Sequence, residues 1–437
     1  MGVSTIRRRL LRFAAVPAIA GLVLAGCSSA EDESSGATGP GVTSEPCPNA
    51  VDKSRGCIYL GVLSDLEGGP FAALGKDIND GQLAFWKKVN ESGGIGGKYE
   101  VDIATNTKNT AYDPQKHAEG YQQVEPNVLA LAMSLGTIHT QAVLDRMDAA
   151  NLVAVAGTLW SGWQFNDTDK GLLLESGYSY CSEAIMGLDW IAQNKTKPKK
   201  IVTVSYKGDY GGDYATGAKK WAEANGVEVV AQVQTGPNAQ VGNQDGPVGQ
   251  IVSAAPDVVL LATGPAEAGE IIGKAALGGY QGRFLGSGPT WNGGLLKSAA
   301  APAITALYNA TSPVDGWDGT SAGAKAARAS AAKEPATWGY SSGWMFSYSM
   351  KALLTKAQAD GKLNRKGLRD SLNGLQVDYQ GAIPANSYGA AKPDLTKQRA
   401  VVAVPDAGSP LGLKTIVTDY HGPTQDKISL TEPCVKP

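Results

Sequence analysis

The chain has 437 residues, of which 43% are hydrophobic and 18% are charged, with a formal net charge of −2. This length is sufficient for two or three domains, each with its own core. The charge excludes the strongly basic surface typical of nucleic-acid-binding proteins. The three histidines and five cysteines show no spacing typical of a metal site. We therefore predict no metal, no cofactor and no nucleic-acid partner.

The first 26 residues have the pattern of an export signal. Four arginines between residues 7 and 12 precede an apolar run, residues 13–24, that is too short to span a membrane with ease. The tetrapeptide LAGC that ends at Cys27 resembles a bacterial lipobox. That resemblance implies cleavage before Cys27, lipidation of its thiol and an extracytoplasmic position anchored to the bacterial cell membrane. A plain signal peptide or a short anchor is the alternative, and both Sec and twin-arginine export stay open.

Residues 27–57 are predicted to form a flexible tether. The part from residue 28 to residue 46 is rich in Ser, Gly, Thr, Pro and acidic residues and has no apolar periodicity.

From residue 58 onwards, short apolar strands alternate with helical segments. The first series of predicted strands is 58–63, 101–104, 129–133 and 152–156, and the second series is 201–205, 227–233, 258–262 and 284–286. Strands separated by helices are typical of a doubly wound, mostly parallel α/β sheet. We therefore predict an α/β protein with two Rossmann-like lobes of the same architecture.

The last third of the chain is predicted to return to lobes already built. Its elements are a strand at 307–311, an Ala-rich helix at 321–333, an aromatic helix at 338–359, and strands at 401–404 and 414–418. The predicted first lobe is 58–178 with 310–388, and the predicted second lobe is 179–309 with 389–437. Such repeated crossing predicts a hinged pair of lobes.

Two small-residue breaks follow neighbouring predicted strands between residues 129 and 163. Ser134, Gly136 and Thr137 belong to the first break, and Thr158 belongs to the second. In open α/β sheets, ligands bind beyond the carboxyl ends of the strands. These hydroxyls and backbone N–H groups are therefore expected to face one crevice and to suit a carboxylate or an amide. Two ordinary βα turns, with threonines that only cap helices, are the alternative.

A set of motifs resembles a known family of solute receptors. In chain order they are IYLGV at 58–62, GPFAALG at 69–75, Gly81, Asn90, GGIGG at 93–97, Asp113-Pro114 and Tyr210-Gly211. Together they resemble the type I periplasmic binding proteins of ABC importers, of the branched-chain amino acid type, over residues 58–418. The resemblance implies two lobes joined by three crossovers that close on a small ligand, an ABC permease as membrane partner, and a monomer.

The resemblance also implies a ligand site in the first lobe. Thr137 and Thr158 fall where the family grips a ligand carboxylate, with Ser134, Gly136 and Trp160 beside them. An apolar contribution from Trp160, Trp163 and Trp291 near the cleft is expected, and packing in a core or at the rim of a lobe is the alternative for Trp160 and Trp163.

In the rest of the chain, some positions match the ligand contacts of the family and one position departs from them. Tyr210 falls on a ligand-contacting tyrosine, and Trp338 and Tyr340 fall near an aromatic position of the returning segment. In amino-acid receptors of the family, an acidic residue after a strand of the second lobe pairs with the ligand ammonium. Here that loop, residues 287–291, reads SGPTW and has no acid. Glu267 on a neighbouring loop is a possible substitute. Since a buried ammonium without a carboxylate is unfavourable, we expect a carboxylate or amide with an apolar body.

The cysteines are expected to form two disulfides. Apart from Cys27, four cysteines remain, and four allow three pairings. Cys47 and Cys57 precede the first strand, whereas Cys181 lies at the crossover into the second lobe and Cys434 lies in the last segment. We predict Cys47–Cys57 and Cys181–Cys434, because the other pairings would join opposite poles.

Two other functions compete with transport. Residues 339–343 match the G-x-S-x-G motif, and Asp378 and His421 follow Ser341 in the order of a hydrolase triad. No apolar strand precedes the motif, so we predict a protein that is not an enzyme. The second alternative is a receptor that senses a ligand and signals to a membrane partner.

Overall fold

The computed structural model describes Gly2 and residues 39–208, 210–390 and 393–436. The chain divides into two units, Met1–Gly36 and Ala37–Pro437, and the fold described below is that of the second unit. The predicted export signal and Cys27 lie outside the described residues. Within the described ranges, no helix is both long and apolar enough to cross a membrane.

The first part of the chain builds one sheet. Its elements are β1 (Val42–Thr43), β2 (Gly56–Ser64), α1 (Ala72–Glu91), β3 (Tyr99–Asn109), α2 (Pro114–Val124), β4 (Ala130–Ser134), α3 (Thr137–Ala149), β5 (Ala154–Ala156), α4 (Asn166–Asp169) and β6 (Leu173–Leu174). The strand order is β3-β2-β4-β5-β6, with all neighbours parallel, and β1 runs antiparallel beside the start of β2.

The middle of the chain builds the helices and most strands of a second sheet. Its elements are α5 (Tyr180–Asn194), β7 (Lys200–Tyr206), α6 (Tyr210–Asn225), β8 (Glu228–Thr235), α7 (Asn238–Val241), α8 (Asp245–Ala254), β9 (Val258–Ala262), α9 (Pro265–Leu277), β10 (Arg283–Gly286), α10 (Ala301–Leu307) and β11 (Tyr308–Ser312).

The last part of the chain adds two strands to the second sheet and forms a separate sheet of two strands. Its elements are α11 (Ala322–Ser330), α12 (Gly339–Ala359), α13 (Arg365–Leu372), β12 (Gln376–Val377), β13 (Asn386–Ser387), β14 (Ala400–Pro405) and β15 (Leu413–Tyr420). The second sheet has the order β15-β14-β11-β10-β9-β7-β8, in which β14 runs antiparallel to both of its neighbours and all other neighbouring strands are parallel. Strands β12 and β13 form the separate sheet and are antiparallel. We call the first sheet with its helices lobe one and the second sheet with its helices lobe two. The predicted α/β architecture is confirmed.

The returning helix α12 lies directly on α1, so that it belongs to lobe one. A Cβ atom at Gly81 would come 2.2 Å from the Tyr340 carbonyl oxygen, and one at Gly343 would come 2.0 Å from that of Ile78. Larger side chains at these glycines would therefore separate the two helices. This close approach seats the beginning of α12, and with it Trp338, at the cleft side of lobe one.

Three boundaries differ from the sequence-based expectation. The described part of the predicted tether packs on lobe one, because Val42 pairs with Ile58 and is buried. The Gly- and Pro-containing sequence of residues 64–75 predicts a loop, but the loop ends early, since the Asp65 carboxylate accepts the Gly69 and Phe71 N–H groups and α1 begins at Ala72. Strand β11 belongs to the second sheet as far as Ser312, three residues beyond the predicted end of the second lobe at residue 309.

Both disulfides predicted from the sequence are present. Cys47–Cys57 spans 10 residues and fixes the segment before β2, whereas Cys181–Cys434 spans 253 residues and fixes the last segment to the start of α5.

Candidate ligand-binding cleft

The carboxyl ends of the parallel strands in the two sheets face each other. In lobe one the strand order reverses between β2 and β4, and in lobe two it reverses between β7 and β9. Ligands of open α/β sheets bind at such points, beyond the carboxyl ends of the strands. The Phe71 ring of lobe one lies 6.0 Å from the Tyr206 ring and 5.9 Å from the Tyr210 ring of lobe two. The lobes therefore touch across a cleft bounded by these two points.

The start of α3 forms a polar seat on the lobe-one side. Gly136 precedes the helix with φ +106°, a value that favours glycine, and no side chain caps the helix. Thr137 and Thr158, predicted to act together, are buried and lie 3.1 Å apart, with the Thr137 hydroxyl donating. The Trp163 indole N–H donates to the same Thr158 oxygen at 3.2 Å. Because that oxygen accepts twice, the Thr158 hydroxyl proton can point to a ligand oxygen.

His139 completes this seat and was not predicted. Its side chain is 1% exposed, and within the described ranges neither ring nitrogen has a hydrogen-bond partner. The ring lies against the ring of Tyr112 at 4.4 Å, and Tyr112 lies against Phe71 at 4.8 Å. Leaving a buried polar group without a partner costs roughly 1–3 kcal/mol, and such groups call for an explanation. A ligand oxygen beside the N-terminus of α3 would satisfy both the imidazole and the open N–H groups.

Ser134, a predicted ligand residue, makes its hydrogen bonds with other side chains of lobe one. Its hydroxyl lies 3.1 Å from Nε2 of His117 and 2.7 Å from the Thr140 hydroxyl. Burial, with a smaller contribution from the charge of His139, lowers the pKa of His117 to about 3. His117 is therefore neutral at physiological pH, and Ser134 is engaged within the lobe.

The lobe-two side presents tyrosines. The Tyr210 hydroxyl donates to the Thr263 carbonyl at 2.9 Å, and its ring lies 5.0 Å from the Tyr180 ring. The predicted Tyr210 thus lies at the cleft, where its ring is nearly perpendicular to the Phe71 ring.

Glu267 is occupied by contacts within lobe two. One of its carboxylate oxygens accepts the Tyr206 hydroxyl at 2.7 Å, and the other accepts the Asn238 N–H at 2.8 Å. The side chain is 4% exposed. Its geometry therefore favours a role in holding Tyr206 over the possible role as an ammonium partner.

The comparisons with known proteins agree with this arrangement. Residues 58–409 match the model of the periplasmic binding protein family. The chain belongs to this family. No curated protein sequence matches it.

Solved structures share the fold at low sequence identity. A fatty acid ABC transporter substrate-binding protein from Thermomonospora curvata is 24% identical, with a TM-score of 0.78 over 90% of this chain and 97% of that one. A branched-chain amino acid ABC transporter protein from Thermus thermophilus with bound valine is 12% identical, with a TM-score of 0.70 over 85% and 98%. A solute-binding protein from R. palustris in complex with benzoate is 18% identical, with a TM-score of 0.63 over 82% and 97%.

The remaining aromatic candidates of this periplasmic binding protein divide between the cleft and the cores. The Trp338 indole N–H donates to the Gly288 carbonyl of lobe two at 2.8 Å, so the returning segment does reach across the cleft. Tyr340 instead meets Ser330 at 3.0 Å and the Trp317 ring at 5.8 Å, which places its hydroxyl on α11. Trp291 stacks on Tyr308 in the core of lobe two, and the contribution expected from this tryptophan near the cleft stays a prediction.

Trp160 joins the lobes to the C-terminal segment. Its indole N–H donates to the Val435 carbonyl at 3.0 Å, and its ring lies 4.8 Å from the Trp163 ring. Next to it, Ser161 donates to Asp213 of lobe two from both its hydroxyl and its backbone N–H, at 2.5 and 3.0 Å. We call residues 433–436 the C-terminal strap.

The hydrolase alternative is wrong for this binding-protein family member. Residues 339–343 form the first turns of α12 and follow no strand, so Ser341 is buried within a helix and not raised on a turn. His421 lies 2.7 Å from Asp426, and Asp378 accepts the Gln380 N–H at 2.8 Å.

Proposed function

We propose that the protein captures a small carboxylate or amide with an apolar body and delivers it to an ABC permease. The observation that carries this proposal is the buried seat at the start of α3. There, open helix N–H groups, the Thr158 hydroxyl and the unpartnered His139 ring converge. Each is suited to an anionic or carbonyl oxygen.

The ligands named for similar structures support a shared head group. Valine, benzoate and fatty acid each carry one carboxylate, and their apolar parts differ. Of these three ligands, only valine also carries an ammonium group. Among the described cleft residues, both Glu267 oxygens accept protein donors, and Asp65 accepts the Gly69 and Phe71 N–H groups. This favours a ligand without an ammonium group.

Lobe closure would convert binding into a signal for the permease. The contacts between the lobes include the rings around Phe71, the hydrogen bond from Trp338 to Gly288 and those from Ser161 to Asp213. A ligand that touches both lobes binds the closed state more tightly than the open one, and so shifts the population toward it.

A thermal-shift screen followed by calorimetry tests this function. The screen compares leucine, valine, benzoate, butanoate, butanamide and butylamine. We expect the carboxylates and the amide without an ammonium group to bind at least as well as leucine or valine, and the amine not to bind. Tight binding of leucine with no binding of the other carboxylates would contradict the proposal.

The location of the protein has its own test. Lipid attachment at Cys27 would keep the receptor beside the permease on the outer face of the membrane. The two disulfides fit an oxidising compartment. We expect Cys27→Ala to move the protein from the membrane fraction to the soluble fraction or to leave the precursor uncleaved. An unchanged distribution would contradict the anchor and leave the ligand proposal intact.

A further inference from the structure

The turn that follows β5 carries part of the polar seat. Thr158 lies at its beginning, and the Trp163 indole N–H donates to the Thr158 hydroxyl oxygen at 3.2 Å. That oxygen also accepts the Thr137 hydroxyl at 3.1 Å. Because both acceptor positions of the Thr158 oxygen are occupied, a single direction is left for its proton. The position of the Trp163 ring therefore determines where this donor points.

The Trp160 ring holds the Trp163 ring in place. The two rings meet edge to face with their centroids 4.8 Å apart, and the Trp163 backbone N–H donates to the Trp160 carbonyl at 3.0 Å. A Cβ atom at Gly162 would come 2.2 Å from the Trp160 ring, so this ring folds back over the turn. The orientation of Trp163 thus depends on that of Trp160.

The C-terminal strap fixes this turn from outside lobe one. The Val435 carbonyl accepts the Trp160 indole N–H at 3.0 Å, and the Cys434 backbone N–H donates to the Ser161 hydroxyl at 2.8 Å. Cys434 is itself bound covalently to Cys181 at the start of α5. The strap therefore connects the turn to the first helix of lobe two.

Asp213 of α6 fixes the same turn directly. Its carboxylate accepts the Ser161 hydroxyl at 2.5 Å and the Ser161 backbone N–H at 3.0 Å, and one of its oxygens also accepts the Cys181 N–H at 3.0 Å. Asp213 is fully buried. An unbroken series of contacts therefore leads from the strap and from lobe two to the Thr158 hydroxyl.

We propose that the C-terminal strap and Asp213 position the Thr158 hydroxyl through Trp160 and Trp163. This inference rests on the proposed function, and it makes Trp160 and Asp213 positioning residues that raise ligand affinity without touching the ligand. The donor that a ligand meets in lobe one is directed toward it only while the strap and lobe two hold the turn.

A double-mutant cycle between Trp160 and Thr158, measured by calorimetry with benzoate, tests the inference. Trp160→Phe removes the indole N–H that donates to the strap. It should weaken benzoate binding roughly threefold to tenfold, the range expected for one lost hydrogen bond. In the Thr158→Val background there is no hydroxyl to position, so the same change should weaken binding by less than about twofold.

Trp221→Phe is the matched control for Trp160→Phe. Trp160 and Trp221 are each 2% exposed, and the Trp221 indole N–H donates to Asp189 at 2.7 Å within lobe two. Both variants should lower the melting temperature, but Trp221→Phe should leave benzoate affinity unchanged. Ser161→Ala, which removes bonds to Asp213 and to the strap, should repeat the loss of affinity seen in Trp160→Phe.

The outcomes separate this inference from the proposed function. Equal losses from Trp160→Phe in the two backgrounds would overturn the inference, because Trp160 would then act independently of Thr158, as in a direct contact with the ligand. Unchanged affinity in Trp160→Phe and Ser161→Ala would also overturn it and assign the strap to the fold alone. Both results leave the carboxylate receptor intact. If benzoate does not bind the wild-type protein, or if Thr158→Val binds it as tightly, the proposed seat is contradicted and the inference fails with it.

Discussion

At the scale of single residues, the cleft combines groups that serve the fold with groups that the fold leaves unsatisfied. Ser134 and Glu267 are fully engaged by protein partners. Thr158 keeps a hydroxyl proton to donate, and His139 keeps both ring nitrogens. Substitution should therefore affect stability at the first pair and ligand affinity at the second.

Thr158→Val should weaken carboxylate binding by roughly 1–3 kcal/mol, because the ligand oxygen loses a buried donor. Thr158→Ser keeps the hydroxyl and should bind within a few-fold of wild type. Calorimetry measures both. A loss of affinity in Thr158→Ser with unchanged affinity in Thr158→Val would show that the methyl group, and not the hydroxyl, matters at this position.

His139→Leu should lower ligand affinity by about tenfold while the melting temperature stays equal or rises. Replacing an unpartnered buried polar group by an apolar one of similar size removes an unfavourable term from the folded state. Thermal denaturation without ligand and calorimetry with ligand measure the two effects. A lower melting temperature with unchanged affinity would assign His139 to the fold alone.

Glu267→Gln should lower the free energy of unfolding by about 1–3 kcal/mol, since one of its two accepted hydrogen bonds is lost. Affinity for carboxylates should change by less than about threefold. If the same variant abolished tight leucine binding, Glu267 would be an ammonium partner, and the protein would be an ordinary branched-chain amino acid receptor.

At the scale of elements, a buried carboxylate joins α5 to the ends of two strands of lobe two. Glu183 accepts hydrogen bonds from Thr311, Ser287, Gly288 and Tyr178 at 2.6 to 3.0 Å. Burial raises its pKa from 4.5 to about 7, although these donors favour the charged form. In the folded protein the Glu183 carboxyl therefore ionises near neutral pH, whereas in the unfolded chain it ionises near pH 4.5.

This raised pKa predicts lower stability toward alkaline pH. The contribution of a protonated Glu183 is fully present below pH 4.5 and is lost as pH rises through about 7, a change on the order of 3 kcal/mol. Asp213, with a pKa raised by burial to about 6, acts in the same direction over a lower range. Chemical denaturation between pH 5 and pH 8, at roughly half-unit steps, measures the slope.

Two variants test whether Glu183 causes this dependence of the free energy of unfolding on pH. Glu183→Gln should make the dependence weaker, whereas Glu223→Gln, at an exposed position of α6, should leave it unchanged. A wild-type free energy of unfolding that increased with pH over this interval would contradict the prediction.

Elements were more predictable than contacts between them. Alternating apolar runs and helical segments identify both sheets, because burial on two faces leaves a pattern in neighbouring residues. The docking of residues 42 and 43 onto β2 has no such pattern, since their composition is that of a linker.

Contacts between residues far apart in the chain were not predictable. Tyr206, which donates to Glu267, lies 61 residues before it, and the helical register of α12 determines that Trp338 and not Tyr340 crosses the cleft. The polar seat was half predicted: Thr137 and Thr158 follow from strand ends, but nothing local shows that His139 lacks a partner.

At the scale of the whole molecule, the C-terminal strap joins the two lobes at one side of the cleft. It is fixed covalently to α5 through Cys434, and it bonds to lobe one through Trp160 and Ser161. Lobe motion therefore has to be compatible with a segment attached on both sides.

Replacing Cys181 and Cys434 together by serine should lower the free energy of unfolding by about 2–5 kcal/mol, because a long closed loop is released in the unfolded chain. The matched control replaces Cys47 and Cys57, which close a loop of only 10 residues, and should cost less. Chemical denaturation compares the two variants. An equal or larger loss from the shorter loop would contradict the explanation.

The spacing of the cysteines also imposes an order on biosynthesis. Cys47 and Cys57 become available within 10 residues of each other, so their bridge can close early. Cys181 has to wait until the following 253 residues have been made, and throughout that time its thiol is free to attack the first bridge. Correct maturation therefore depends on the early burial of Cys57 beneath the edge of lobe one, where it is fully inaccessible. A host that lacks a disulfide isomerase would accumulate mispaired chains in proportion to the delay between the two events.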